Sequence, residues 1–161
     1  MTLACLPRTP EALTALVEKL DPAANPLWKK RDITGDGVDE TFCNQFLEAA
    51  LELLEVPVPR GLLARQQIEW LDSDVGKAHG WKAAMRATAF QSANLGQPVV
   101  AGWLNPEKRP DGRPRPSHVA LVVPTGFGLE IQIAQAGLNN FNSEGVSRGF
   151  GGKPVRFWVH E

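Results

Sequence analysis

Cys43 stands between an acidic, glycine-punctuated run and an apolar-periodic one, and Thr41-Phe42-Cys43-Asn44-Gln45-Phe46 is where a thiolate nucleophile would be built. Upstream, the glycines and aspartates of residues 32–40 favour turns over helix or strand. Downstream, Phe46, Leu47, Ala50, Leu51 and Leu54 repeat at helical spacing, so Cys43 falls in a first helical turn. Unpaired N–H groups and the positive end of the helix dipole favour an anion there. They predict a lowered thiol pKa and fast alkylation below about pH 8. The competing reading is a buried structural cysteine, a small apolar side chain with no chemistry.

A thiolate attacking an acyl carbon needs an imidazole to share its proton and a third group to orient that imidazole. Of three histidines, His118 opens the apolar run His118-Val119-Ala120-Leu121-Val122-Val123 beside a proline-rich loop, a position that suits a base facing a cleft. His79 reads as a turn residue, and His160 is penultimate. The orienting group should come from the neighbouring strand, residues 129–134 and their continuation. Alternation there places Ile131, Ile133 and Gln135 on the buried face and Glu130 and Gln132 on the other. Gln135 is the expected third member, since its amide oxygen can accept from an imidazole N–H; Asn139 and Asn140 are the substitutes. The oxyanion would be held by the Cys43 backbone N–H and one further donor. Asn44 and Trp103 are the candidates for substrate contact. Trp103, near the proline-rich loop, is the tryptophan best placed to stack on a sugar.

These residues need elements to hold them. Thr9, Pro10 and Glu11 are an N-cap, a first-turn proline and a dipole-matched acid, opening a helix over 10–20. Further helices are expected over 42–54, 62–71 and 81–94, the last for its alanines, so that the first 95 residues read as helical. Strands are expected over 99–104, 118–123, 129–134 and 155–159, with residues 124–128 as a hairpin turn and residues 106–116 as an exposed, mobile loop. Helices followed by strands predict one α+β domain over residues 1–161, its N-terminal helices packed on a C-terminal antiparallel sheet and residues 1–8 a flexible leader.

With 161 residues and a net charge of −1, the chain offers one core and no field that would attract nucleic acid or an anionic membrane. No apolar run is long enough to span a bilayer, and no signal-peptide pattern is seen at the N-terminus. Cys5 and Cys43 do not make a disulfide framework.

The order of cysteine, histidine at the head of an HVA-type strand, and a polar residue on the next strand resembles the papain-like peptidoglycan hydrolases, especially CHAP and, more loosely, NlpC-type domains. The resemblance is carried by residues 41–46, 93–101, 117–123 and 133–137. It implies a papain-like fold with a Cys43, His118 and Gln135 triad. Its implied reaction is hydrolysis of a cell-wall amide through an acyl-enzyme on Cys43, by a stem-peptide endopeptidase or amidase. Delivery would be as a phage endolysin or a secreted effector reaching periplasm or wall, the latter with an inhibitory immunity protein. Phe42 stands where those families carry an aspartate or an oxyanion-binding glutamine, and Gln135 where many carry an acid or histidine. Some CHAP domains bind calcium just before the nucleophile; here Asp32, Thr34, Asp36 and Asp39 alternate oxygen side chains around Gly37 as in the first half of a calcium loop. Cys43 itself occupies the position of that loop's closing acid, and the same acids would equally serve as turn and helix caps. The reaction requires no cofactor. The same nucleophile and base would serve a deamidase or protease toxin acting on protein, and a silent wall-binding module needs neither.

Overall fold

The computed structural model describes residues 7–126, 128 and 130–161. Cys5, most of the expected leader, and Phe127 and Leu129 of the expected hairpin lie outside that set.

The fold is α+β. Helix α1 (Pro10–Leu20) begins as its sequence dictates: Thr9 accepts the Ala12 N–H at 3.1 Å and Pro10 takes the first turn. A 3-10 turn (Pro26–Trp28) leads to α2 (Cys43–Leu53), α3 (Ala64–Asp72) and the short α4 (Asp74–Ala78). Then come β1 (Trp81–Ala84), α5 (Arg86–Asn94), β2 (Val99–Trp103), β3 (His118–Val123), β4 (Gln132–Ala136), β5 (Asn140–Gly145), α6 (Val146–Phe150) and β6 (Arg156–His160). The strands form one antiparallel sheet in the order β1-β6-β2-β3-β4-β5.

The expectation of an all-helical first 95 residues is corrected at β1. Ala83 and Ala84 favour helix locally, but Ala83 pairs with Trp158 and Trp81 with His160, and Trp81 is buried. Tertiary pairing overrides propensity. The expected helix over 81–94 is therefore a strand followed by α5 alone. Neither α4, β5 nor α6 was expected. Strand β4 begins at Gln132 rather than 129, and Ile131, Ile133 and Gln135 are buried as alternation requires. The proline-rich loop is exposed but internally bonded, with a bridge between Lys108 and Pro114. Asn105 and Ser117 fasten its base, the Asn105 N–H donating to Ser117 Oγ at 3.0 Å.

Both sheet faces are covered. One carries α1, α2 and α3, whose Leu13, Phe46, Leu51 and Ile68 pack on Val119, Leu121 and Trp158. The other carries α5 and α6, whose Ala89, Ala93 and Phe150 pack on Ala120, Val122, Ile133 and Phe157. Each fully buried aliphatic or aromatic side chain contributes about 1.5–3 kcal/mol to that covering.

Antiparallel register gathers one end of the sheet. The C-terminal ends of β1, β2 and β4 meet the N-terminal ends of β6, β3 and β5 there: Ala84 opposite Phe157, Trp103 opposite His118, Ala136 opposite Asn140.

Candidate active site

Helix α2 enters at that gathered end. The β3–β4 ladder runs from Val123 with Gln132 to Leu121 with Ala134. Beyond it, the Phe42 N–H donates to the Ala136 carbonyl on β4 at 3.2 Å, and the Val119 N–H on β3 reaches the Cys43 sulfur. The first turn of α2 thus takes polar groups from both strands. This fastens the helix start although Phe42, at the N-cap position, supplies no side-chain cap.

The Cys43 side chain is only 4% exposed and belongs to the cluster on the α1–α3 face. Burial pushes its thiol pKa up, opposed by the nearby N–H groups of Val119 and Asn44 and by the Thr41 hydroxyl. The expected low-pKa thiolate is therefore corrected: helix-end polarity is present, but desolvation outweighs it. At neutral pH Cys43 is a thiol.

His118 lies half-buried at the head of β3. Strand alternation turns it to the α5–α6 face, where its ring packs tilted on Phe150 with centroids 4.8 Å apart. The bond expected of the third residue is present: His118 Nε2 donates to Gln135 Oε1 at 2.6 Å, and Gln135 Nε2 donates to the Asn139 carbonyl at 2.8 Å. Gln135 is thereby fixed at both ends of its amide. Two glycines make room. A Cβ at Gly137 would lie 3.0 Å from His118 Cε1, and one at Gly149 would lie 2.5 Å from Gln135 Oε1. Burial lowers the His118 pKa, with the Lys153 charge adding to it and the Gln135 bond opposing. The resting ring is a neutral base.

The structure brings His118 and Gln135 together and places the Cys43 sulfur against Val119, the residue after His118. The thiol and the imidazole are not brought together: Cys43 packs in the cluster on the α1–α3 face, His118 lies against Phe150 on the α5–α6 face, and no hydrogen bond joins them among the described residues. With Nε2 on Gln135, Nδ1 is the ring nitrogen without a hydrogen bond among the described residues.

Trp103 pairs with His118 across β2 and β3, a juxtaposition that separation in sequence hides. It is not the open stacking platform expected: it is half-buried, and Lys153 Nζ sits 4.8 Å from its ring centroid. Asn44 is likewise turned to structure. Its amide donates to the Leu62 carbonyl at 2.9 Å, while buried Gln67 on α3 donates to the Asn44 carbonyl. Asn140 donates to the Trp28 carbonyl, so it is no substitute for Gln135. His160 Nε2 donates to the His79 carbonyl and His79 Nδ1 donates to the Val75 carbonyl, both at 2.8 Å, in the β1–β6 part of the fold rather than at Cys43.

The acidic loop is closed by backbone bonds between Arg31 and Glu40. Asp32 Oδ1 accepts from Gly35 and Asp36, and Oδ2 from Gly37, bonds that hold its carboxyl below the ordinary range. Asp36 accepts from Val38. Among the described residues no group of three or more His, Cys, Asp or Glu side chains converges as metal ligands. In the loop expected to hold calcium through Asp32, Thr34, Asp36 and Asp39, the Asp32 oxygens accept from the loop's own N–H groups, and Cys43 at the closing position is packed in the core.

Thr41, Val119, Phe150, Gly137 and Lys153 received no role in the sequence reading. The two glycines beside His118 and Gln135, Gly137 and Gly149, offered the only local signal; the rest depends on which strands pair. No protein-family model matches the chain, and no curated protein is detectably similar to it in sequence.

Proposed function

We propose that this protein is a cysteine hydrolase that cleaves an amide bond of bacterial cell-wall peptidoglycan through a Cys43 acyl-enzyme. The observation that carries the reading is the oriented imidazole: a neutral His118 held at Nε2 by a doubly anchored Gln135, at the same end of the sheet where the Cys43 sulfur meets Val119. A buried histidine satisfied for structure alone would not require a cysteine at the adjoining helix start. The choice of peptidoglycan rests on the resemblance to papain-like CHAP and NlpC-type domains, in which a helix-opening cysteine packs on a sheet that supplies the histidine and third residue.

In this scheme substrate binding brings the scissile carbonyl to the sulfur. The imidazole takes the thiol proton at Nδ1 as the S–C bond forms, then gives it to the leaving amine as the C–N bond breaks. Water, deprotonated by the same ring, attacks the thioester; the carboxylic acid leaves and the thiol is restored. The Cys43 and Asn44 N–H groups, at the helix start, would supply the oxyanion donors in this scheme. A neutral Cys–His pair makes proton transfer part of the attack rather than a prior step.

The test is digestion of purified peptidoglycan with mass analysis of the fragments. New amines or released stem peptides are expected from the wild type and none from Cys43→Ala or His118→Ala proteins of unchanged circular dichroism. An intact wall, or digestion that survives Cys43→Ala, would overturn the reading.

A further inference from the structure

On the α5–α6 face a cleft of about 420 Å³ opens between the end of β1, the start of α6 and the segment leading into β6. Its charged lining residues are Arg86, Lys153 and Arg156, with no acid among them, over an apolar floor that includes Ala84, Val155 and Phe157. Arg156 is engaged: its guanidinium donates to both carboxylate oxygens of Asp72 at 2.7 Å. Arg86 and Lys153 form no ion pair with a carboxylate among the described residues. The nearby acid Glu130 accepts the Ser147 N–H at 2.9 Å and feels the Arg86 charge, but forms no ion pair with it and does not line the cleft. Two cations at one concavity of a chain whose net charge is −1 are therefore a local concentration of charge, and apolar walls strengthen their attraction for an anion.

The cleft adjoins the candidate site. Lys153 belongs to both: it lines the cleft and lies over Trp103, which pairs with His118. A chain lying from the cleft towards the head of β3 would pass Trp103 before reaching the imidazole.

We propose that this cleft is a binding subsite for a carboxylate of an acidic peptide, with Arg86 and Lys153 as its counter-charges, and that it selects the peptide presented to Cys43. The selection of a substrate rests on the amidase reading; the binding does not. A guanidinium meets a carboxylate in a planar two-bond geometry, and an ammonium on a flexible stem can close on the same group. The volume suits one or two peptide residues, and the scattered remaining cations provide no track for a nucleic-acid backbone.

The experiment uses the Cys43→Ala protein, which leaves the probe uncut, and compares three probes by calorimetry and amide chemical shifts: an alanyl-γ-glutamyl peptide with its free α-carboxylate, the same peptide as the α-carboxamide, and inorganic phosphate. The carboxylate form should bind about tenfold or more tightly than the carboxamide, a difference of about 1.4 kcal/mol. Shifts should centre on Ala84, Arg86 and Val155. Adding Arg86→Gln and Lys153→Met, both exposed positions, should abolish the preference while thermal unfolding stays unchanged. Equal binding of the two peptides, no peptide binding, a preference that survives the double substitution, or binding of phosphate alone would overturn the proposal. If the preference holds while wall digestion is unaffected by Cys43→Ala in the full assay, the cleft stands and the amidase reading falls; digestion with no carboxylate preference has the opposite meaning.

Discussion

The two faces of the sheet are both covered by helices, the α1–α3 face more extensively than the α5–α6 face, and they carry different chemistry. The α1–α3 face is a largely apolar layer with the buried Gln67 amide on the Asn44 carbonyl and the Cys43 sulfur near N–H and hydroxyl groups at its edge. The α5–α6 face carries the imidazole, its amide anchor, Phe150 against the ring and the cationic cleft. The proposed nucleophile and base thus belong to opposite coverings at the same end of the sheet. This separation teaches that the helix places the sulfur and the sheet places the ring, with Val119 as their common neighbour.

The comparison breaks most severely if either side is emptied. Cys43→Ala should abolish wall hydrolysis, and His118→Ala should lower kcat by about a thousandfold or more, measured on purified peptidoglycan. A matched pair of packing variants sharpens it. Phe150→Ala removes the ring's support on one face and should cost about 3–5 kcal/mol, whereas Leu47→Ala on the other should cost about 2–5 kcal/mol, read from urea unfolding. At equal stability loss only the former should also depress kcat, because only Phe150 touches His118.

Gln135→Leu is milder. It removes the His118 partner and leaves a buried donor unpaired, which costs about 1–3 kcal/mol. Expressed in orientation of the base, that is roughly ten- to a hundredfold in kcat. Gln135→Glu, able to accept the same bond, should restore much of the rate and raise the His118 pKa by placing a carboxylate beside it. NMR titration of the ring gives that shift directly.

The smallest expected effect is on stability against pH. The folded His118 pKa lies below its ordinary value of 6.5, so the unfolded chain takes the proton first. The contribution is fully present above about pH 6.5 and is lost as pH falls towards the folded pKa. His118→Phe should flatten that limb of the unfolding curve, and an unchanged limb would remove His118 as its cause.

Local chemistry made part of this legible. Thr9, Pro10 and Glu11 specify the start of α1 within four residues, and the apolar run from His118 is β3 from end to end. The turn-rich loop ahead of a periodic segment put Cys43 at a helix start. The burial of Gln135 and its bond to His118 were legible because alternation is a local rule and a buried amide must find a partner. What escaped was decided by distant pairing. Alanines 83 and 84 became strand because β6 was available, and β5, Asn140–Gly145, is too polar to announce itself. The sign of the Cys43 shift depends on how completely the sheet covers a helix end, which no window around residue 43 contains. Likewise, Arg86, Lys153 and Arg156 converge only once β1 and β6 are side by side.

The central claim is that the imidazole of His118 serves the sulfur of Cys43, and the rate of Cys43 alkylation by iodoacetamide as a function of pH tests it most directly. In the wild type the rate should climb through the depressed His118 pKa, below 6.5, hold a plateau, and climb again only where the thiol itself ionises, above its ordinary 9.0. His118→Ala should erase the plateau and leave the upper limb. A single rise above pH 9.0, identical in wild type and His118→Ala, would contradict the account.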